Sequence, residues 1–349
     1  MDKILIVGSG FSAALVYSYL SKYDVRIISP SIGRFLPNNI DIKEDFVFNY
    51  NKILSKKASS YSTLNIIKSP KIRLHNRIID GGNSAIWGGF YDVDLDFNVH
   101  EQLKKIGASL KRLSLNNTGS IANKDSIYQL TGSNGLIYNS NSFLGNKIEN
   151  SYLIRLIPGV DSVLADEYNP LANKIIRNKY SRVYVCCGVL NSISILAKSF
   201  SVSNFKLDDY EHRLGLCNLY SRMESNENLK IRYRLMRAVN HYLGIQKKFD
   251  FINSKYFKIG IEQTFSNKPI SVNLTIKNNI DLFLSSDSNE FGSSIHYNNL
   301  SVNGATLDNF SSSISQNIKF FGMAGVKQIK PGPISNDIHQ HIHDYFVSN

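Results

Sequence analysis

The segment VGSGFSA at residues 7–13 has the glycine spacing that lets a ligand approach the backbone closely. Gly8, Gly10 and Ala13 fit a G-x-G-x-x-G/A pattern, and a short apolar run precedes them. A helical pattern and a second apolar run, Val25 to Ser29, follow. Strand, glycine turn, helix and strand in this order predict a dinucleotide-binding turn, in which the helix N-terminus faces a pyrophosphate. A tight turn without a ligand stays open as an alternative.

The end of the second predicted strand departs from this pattern. A carboxylate usually stands there and binds the ribose hydroxyls. Here Ser29 occupies the position, and no acidic residue follows before Asp41. Two interpretations remain: Ser29 makes a weaker hydrogen bond to the ribose, or Ser29, Ser31 and Arg34 together hold a ribose phosphate, which favours NADP.

A second glycine-rich stretch, IIDGGNSAIWGGF at residues 78–90, carries four glycines and the only tryptophan of the chain, Trp87. Glycine costs conformational entropy in an ordered segment, so this density indicates that something approaches the backbone closely. From the residues alone, it is either a tight backbone crossing around a buried tryptophan or a surface for a ligand.

The rest of the chain indicates a mixed architecture. Residues 181–199 repeat the order of apolar strand, glycine and helix, which predicts a return to one doubly wound parallel α/β sheet. Period-two alternation between about 200 and 290 predicts an antiparallel sheet with one solvated face. The C-terminal stretch predicts a strand, a glycine-rich loop and a helix. We predict a nucleotide-binding domain over 1–200 with a loop insertion at 91–150, formed of helices and long loops. A substrate domain over 201–290 and a return to the first domain over 291–349 complete the prediction.

Composition and charge narrow the function classes. The net charge is +12, but no dense Lys/Arg block with interleaved aromatic residues is present, so we expect no nucleic-acid partner. The positive charge leaves peripheral contact with an anionic membrane surface open. No apolar run reaches the roughly 18 residues of a transmembrane helix, and the N-terminus lacks a signal-peptide layout. Two of the three cysteines, Cys186 and Cys187, are adjacent, which argues against a disulfide framework or metal site and favours the cytoplasm.

Three segments together resemble the flavin-dependent glucose–methanol–choline oxidoreductases, with the pyranose-oxidase-like branch nearest. They are VGSGFSAA, GGNSAIWGG and VYVCCGVLNSISIL, and the GG-x-S-x-x-W-x-G pattern is the most specific of them. The resemblance implies an FAD-binding Rossmann-like domain with an antiparallel substrate domain. Family members with covalent flavin carry a histidine immediately before the tryptophan. Ile86 stands there, so the resemblance implies non-covalent FAD.

The resemblance also implies which residues line the cofactor. In such enzymes the glycine loop lies against the flavin, and the turn of the first strand holds the pyrophosphate. The cofactor-binding residues expected on this basis are Gly8, Gly10, Phe11, Ser12, Ala13, Ser29, Gly81, Gly82, Asn83, Ser84, Trp87, Gly88, Val160, Gly188 and Gly322.

Catalytic residues are implied in the same way. Family members use a histidine, with a second histidine or asparagine beside it, near flavin N5. The segment GSSIHYNNL places His296 at the first position, although Asn299 replaces a family glycine. A loop before the last helix offers Asn336 for the second. His339, His341 and His343 are not expected to bind a metal, because His341 points away from the helix face that the other two share.

The function implied is oxidation of a CH–OH group of an alcohol or sugar, which could carry a phosphate, by hydride transfer to flavin. One alternative is a flavin-dependent sugar isomerase or mutase without net oxidation. Another is a degenerate relative that binds a nucleotide or nothing and does not catalyse.

Overall fold

The computed structural model describes residues 3–30, 65–66, 81–82, 89–91, 95, 97–113, 127–209, 219–223, 257–261, 270–277, 281–286, 298–326 and 334–348. The α-helices are α1 (Phe11–Leu20), α2 (Val99–Lys105), α3 (Asn141–Leu144), α4 (Val189–Phe200), α5 (Leu307–Ile314) and α6 (Ile334–Ser348). The strands are β1 (Lys3–Val7), β2 (Asp24–Ser29), β3 (Asn65–Ile66), β4 (Phe90–Tyr91), β5 (Ala108–Leu113), β6 (Ile127–Gly132), β7 (Ile148–Asn150), β8 (Tyr152–Pro158), β9 (Val163–Asn169), β10 (Lys174–Tyr180), β11 (Arg182–Val185), β12 (Asn204–Asp209), β13 (Leu219–Met223), β14 (Phe257–Ile261), β15 (Ile270–Lys277), β16 (Asp281–Ser286), β17 (Asn298–Val302), β18 (Ala305–Thr306) and β19 (Ile318–Phe320).

A five-stranded parallel sheet lies at the centre of the fold, in the order β19-β11-β1-β2-β7. β1 is its middle strand, and its residues from Ile4 to Val7 are all buried, as expected of a parallel strand covered on both faces. Val7 pairs with Val185 of β11 and with Ile28 of β2, so these strands end together. We refer to the edge where they end as the carboxyl edge.

The side chains of β1 alternate between two hydrophobic clusters. Ile4 and Ile6 belong to the cluster formed with α1, α2 and α6. Leu5 and Val7 belong to the cluster formed with α4 and the three-stranded antiparallel sheet β10-β9-β8, which we call the meander. The sheet therefore has helices on one face, and a helix together with the meander on the other.

Buried charged groups join the meander to the parallel sheet. Arg26 of β2 donates to Glu167 of β9 at 2.6 Å and to the hydroxyl of Tyr180 in β10 at 2.6 Å. It also donates to Glu149 of β7 from two guanidinium nitrogens. The Tyr180 hydroxyl donates to the other oxygen of Glu167 at 2.7 Å. Arg26 therefore ties two strands of each sheet together.

The predicted mixed α/β architecture is confirmed at the level of a parallel sheet accompanied by antiparallel sheets. β12, β15 and β16 pair antiparallel within residues 200–290, as the period-two pattern predicted, and β17 joins β12. The observed limits of the strands and helices do not test the predicted boundaries of the three domain segments, which stay predictions.

The prediction of helices and long loops over 91–150 is wrong in part. Beyond the two helices in this range, β5 and β6 form an antiparallel pair to which β4 adds at the other side of β6. β7, at the end of the range, pairs with β2 as an edge strand of the parallel sheet. The physical reason is period-two alternation over residues 108–111 (ASLK) and 128–131 (YQLT), which outweighs the polar composition of the region.

Within the described part of the chain, no helix combines the length and hydrophobicity needed to cross a membrane.

Candidate functional site

The turn after β1 is fixed by a glycine that no other residue could replace. Gly8 has φ +115°, and a Cβ placed on it would lie 2.5 Å from the carbonyl oxygen of Cys186. Its N–H donates to the carbonyl of Ile28 at 2.8 Å. Gly8 therefore lets β1, β2 and β11 meet at the carboxyl edge without side chains between them.

Two helices begin at this edge without a capping side chain. Gly10 precedes α1 and Gly188 precedes α4, and neither helix has an acidic residue in its first turn. Among the described residues, a Cβ on Gly188 would meet no atom within 4 Å, so none of them fills the space beyond it. Free N–H groups and the positive end of the helix dipole favour an anion at such positions.

The two glycine-rich stretches meet in space. A Cβ on Gly82 would lie 3.3 Å from the Cα of Gly10, and a Cβ on Gly10 would lie 3.7 Å from the carbonyl oxygen of Gly81. Gly81 and Gly82 have φ of +85° and +56°. The entry of the stretch at 78–90 is therefore pressed against the start of α1. Its predicted residues Asn83, Ser84, Trp87 and Gly88 lie outside the described residues.

Buried hydroxyl groups hold this contact together. The hydroxyl of Ser9 lies 3.0 Å from that of Ser29 at the end of β2 and accepts from the N–H of Gly81 at 3.2 Å. The hydroxyl of Ser140 donates to the carbonyl oxygen of Ser9 at 2.6 Å and lies 3.2 Å from that of Gly81. Ser29 is at the predicted position, but its buried hydroxyl faces the protein's own turn.

Gly322, in the loop after β19, closes the other side of the turn. It has φ +81°, and a Cβ on it would lie 2.9 Å from the hydroxyl oxygen of Ser12 in the first turn of α1. Phe11, Ser12 and Ala13 are buried. The predicted residues of α1 and the C-terminal loop are thus neighbours, although about three hundred residues separate them in the sequence.

The adjacent cysteines at the end of β11 are not suited to nucleophilic chemistry. Burial raises the pKa of the Cys187 thiol to about 12 and that of Cys186 well above its usual value. Both thiols stay protonated near neutral pH, and a thiolate is the reactive form of cysteine. Cys186 belongs to the hydrophobic cluster formed with α1, and Cys187 packs against the cluster formed with α4.

The histidines of the C-terminal helix α6 lie in different surroundings. His339 is fully buried, and its Nδ1 is hydrogen bonded to the hydroxyl of Tyr91. Its ring packs edge-on against Phe11 and Phe97, and burial lowers its pKa to about 3. Such a group is a poor proton acceptor near neutral pH and has no access to a substrate, so His339 is not a substitute for a catalytic histidine.

The predicted difference between the histidine faces is confirmed. His343 stacks on Phe97 and its Nδ1 lies 2.8 Å from the hydroxyl of Tyr19. His341 instead contacts the ring of Phe321. Asn336, expected in a loop, lies in the first turn of α6, which begins at Ile334.

The structure brings most of the described cofactor-binding candidates together and leaves one of them apart. Gly8, Gly10, Ser29, Gly82 and the neighbouring residues already described meet at the carboxyl edge. Val160 does not. It lies in the turn between β8 and β9 beside Asn317, whose carbonyl accepts from Val183 at the opposite edge of the sheet. Val160 is therefore separated from the other described cofactor candidates, and its assignment to the cofactor stays a prediction. His296 lies outside the described residues.

Sequence reasoning missed Ser9 and Ser140, whose hydroxyls connect the turn, β2 and the glycine stretch. Ser9 occupies a variable position of the glycine pattern, and Ser140 is 131 residues away from it. No local signal in the sequence marks a contact of that separation.

No family model matches the sequence, and no curated protein matches it. The resemblance to the glucose–methanol–choline oxidoreductases therefore stays a prediction. Among solved structures, p-nitrophenol 4-monooxygenase PnpA from Pseudomonas putida DLL-E4 is similar over 100% of this chain and 80% of its own, with 10% identity and a TM-score of 0.35. S-allyl-L-cysteine S-oxygenase from Allium sativum is similar over 54% of this chain and 36% of its own, with 10% identity and a TM-score of 0.25.

BexE, described in connection with oxidation during BE-7585A biosynthesis, is similar over 60% of this chain, with 11% identity and a TM-score of 0.31. The chain spans 37% of the length of BexE. Likeness at this level does not carry a substrate or a reaction from one protein to another.

Proposed function

We propose that the chain is an FAD-dependent oxidoreductase that holds its cofactor non-covalently at the carboxyl edge of the parallel sheet. The observation that supports this most is the meeting of Gly10 and Gly82 at the uncapped N-terminus of α1. Bare backbone on both sides and a positive helix end are what a diphosphate requires. Phosphate binding at this position is the first element of the proposal.

The residues present fit a diphosphate better than they fit a ribose. Gly188 at the start of α4 offers a second uncapped helix end, and none of the described residues fills the space beyond it. At the end of β2, by contrast, Ser29 supplies a hydroxyl that is already bonded to Ser9. The ribose of the adenosine half therefore loses the charged hydrogen bond that a carboxylate would give, worth about 1–2 kcal/mol.

FAD, when bound, supplies a hydride acceptor at flavin N5. The chain's own residues would orient an alcohol or sugar hydroxyl and take up its proton. We assign the proton acceptor to His296, because the usual pKa of histidine suits proton transfer near neutral pH. Asn336, in the first turn of α6, would donate a hydrogen bond that orients the hydroxyl.

A second candidate function is nucleotide binding without catalysis, which the Ser9–Ser29 hydrogen bond favours because it occupies the group nearest the ribose. An isomerase or mutase that uses flavin without net oxidation is distinguished from an oxidoreductase by its products. The same experiment separates all three: anaerobic mixing of the FAD-loaded protein with a panel of alcohols and sugars, following the flavin absorption and the products.

We expect one member of the panel to bleach the flavin and to accumulate as the oxidised product. The His296→Ala variant should keep FAD and reduce it more slowly by about 10²–10⁴-fold, and Asn336→Ala should slow the same step less. His100→Ala, at an exposed position of α2, is the matched control and should behave as the wild type. Wild-type rates in the His296→Ala variant would remove His296 from the proposal, whereas FAD binding without reduction by any compound would favour the non-catalytic function.

A further inference from the structure

The meander carries a regular outer face that no described element covers. Residues paired across antiparallel strands point to the same side of a sheet. Ile175 pairs with Tyr168, which pairs with Tyr152, and these form one row. The row belongs to the outer face, because alternate residues such as Val163 and Ala165 are in the core.

The next row of the same face is charged. Arg177 pairs with Asp166, which pairs with Arg155. Both arginines make ion pairs with Asp166 at 2.6 Å, and each keeps about half of its side chain exposed. Lys179 follows on β10 at the next outward position and is exposed. Positive charge therefore continues along the strand behind the apolar row.

An apolar residue projects from the turn that ends this face. Leu171, between β9 and β10, is 88% exposed, and Ile175 beside it is 61% exposed. Local hydrogen bonds order this turn. The side chain of Asn169 accepts from the N–H groups of Leu171 and Ala172 at 2.9 and 3.0 Å. The hydroxyl of Tyr168 donates to the side chain of Asn173 at 2.8 Å. Leu171 is thus held outward by local hydrogen bonds.

These groups lie at increasing distances from the tip of the β9–β10 hairpin. Leu171 and Ile175 lie nearest the tip, with Lys174 between them in sequence. Tyr168 and Tyr152 lie in the same row as Ile175. The arginine row lies two residues further along the strands, about 7 Å at the usual rise per residue. An apolar tip, then amphipathic rings, then cations about 7 Å behind is the order in which a bilayer presents acyl chains, interface and headgroup phosphates.

We propose that the β9–β10 hairpin, from Tyr168 to Arg177, docks on an anionic lipid bilayer, with Leu171 and Ile175 entering the interface and Arg155, Arg177 and Lys179 facing lipid phosphates. The positive charge of this face favours an anionic bilayer as its partner. Three cations, Arg155, Arg177 and Lys179, lie on this face with the single carboxylate of Asp166, and the whole chain carries +12, so a second copy would be repelled. The inference stands independently of the proposed function.

Sedimentation with vesicles tests the proposal. The full-length protein is mixed with vesicles of phosphatidylcholine alone, or of phosphatidylcholine and phosphatidylserine in equal amounts, and the pelleted fraction is measured as salt is raised. We expect binding to the anionic vesicles only, weakening with salt as surface charges are screened. The Leu171→Ser/Ile175→Ser variant should lose at least about tenfold in partition coefficient, and Lys179→Glu should lose about tenfold.

The chain offers matched controls. Val160 is 94% exposed at the opposite end of the meander, and Lys22 is exposed in the turn before β2, so Val160→Ser and Lys22→Glu make equivalent changes elsewhere. Both should bind as the wild type. Wild-type binding by the Leu171→Ser/Ile175→Ser variant, or an equal loss in Val160→Ser, overturns the proposal. Absence of binding to either vesicle also overturns it, and an acidic protein then becomes the occupant to seek.

Discussion

The hydroxyl oxygens of Ser9 and Ser29 lie 3.0 Å apart, and both side chains are buried between the dinucleotide-type turn and the end of β2. Ser29 stands where a ribose-binding carboxylate was expected, yet its hydroxyl bonds within the protein. The same Ser9 hydroxyl accepts from Gly81. One hydroxyl pair thus couples the turn, the second strand and the glycine stretch.

Energetic coupling between these two serines is the first prediction. Ser9→Ala should lower the free energy of unfolding by about 1–3 kcal/mol, because it removes the acceptor of a buried N–H as well as the bond to Ser29. Ser29→Ala should cost about 1 kcal/mol. The double variant should cost less than the sum, since each single change already breaks the shared bond. Urea unfolding of the four proteins measures this, and strictly additive losses would contradict the coupling.

The two glycines of the turn should separate folding from cofactor binding. Gly8→Ala places a Cβ 2.5 Å from the Cys186 carbonyl oxygen at φ +115°, so it should destabilise the fold by more than about 2 kcal/mol. Of the described residues, the Cβ of Gly10→Ala meets the Gly81 carbonyl alone, at 3.7 Å, so stability should change by less than about 1 kcal/mol.

Because we propose that the diphosphate approaches the N-terminus of α1 beside Gly10, Gly10→Ala should nevertheless weaken FAD binding about tenfold or more. Thermal unfolding and FAD titration of both variants provide the comparison. Unchanged FAD affinity in Gly10→Ala would place the diphosphate elsewhere.

The stability of the folded protein should decrease in acid because of His339. Burial lowers its pKa from the usual 6.5 to about 3, so the folded protein holds the ring neutral while the unfolded chain binds a proton. The contribution of the neutral His339 ring to the free energy of unfolding is therefore fully present above about pH 6.5 and is lost progressively as the pH falls toward 3. Between pH 7 and pH 5 the loss from this residue should be roughly 2 kcal/mol.

His339→Leu should flatten this part of the stability profile in denaturant unfolding at several pH values. Tyr91→Phe is the matched control, because it removes the hydrogen bond to His339 but leaves the ring buried, so the slope should remain. An unchanged slope in His339→Leu would show that other groups cause the acid sensitivity.

Loss of Arg26 should be among the most damaging substitutions in the described chain. Glu167 is almost fully buried and faces the Arg26 guanidinium at 2.6 Å. Arg26→Met would leave that carboxylate without its cation, at a cost of about 3–5 kcal/mol. Adding Glu167→Gln should recover much of the loss, because the uncompensated charge is then gone. If the double variant is no more stable than Arg26→Met, lost packing rather than buried charge explains the effect.

The parts of the fold that local signals determine were predictable. β1 and β2 were expected within a residue of their observed bounds and a helix was expected between them, because an apolar run, a glycine turn and a helical pattern are short-range features. β5 and β6 were not expected, since the polar composition around them obscured their alternation.

The parts that depend on distant contacts were not predictable. That Gly82 rests on Gly10, or that Ser140 bonds to the carbonyl of Ser9, follows from how sheets and loops close. The location of Val160 at the opposite edge follows from the meander's direction, which a sequence pattern does not state. Asn336 was assigned to a loop, but Ser335 and Asp337 beside it are residues that favour the first turn of a helix.

Flavin content of the purified protein tests the proposed cofactor site most directly. The visible spectrum is recorded before and after acid precipitation, and any released flavin is identified by chromatography. We expect a yellow protein, or one that becomes yellow on reconstitution with FAD, and release of intact FAD into the acid supernatant because the cofactor is not covalently bound. A colourless protein that takes up no FAD on reconstitution would contradict a flavin site at the carboxyl edge of the sheet.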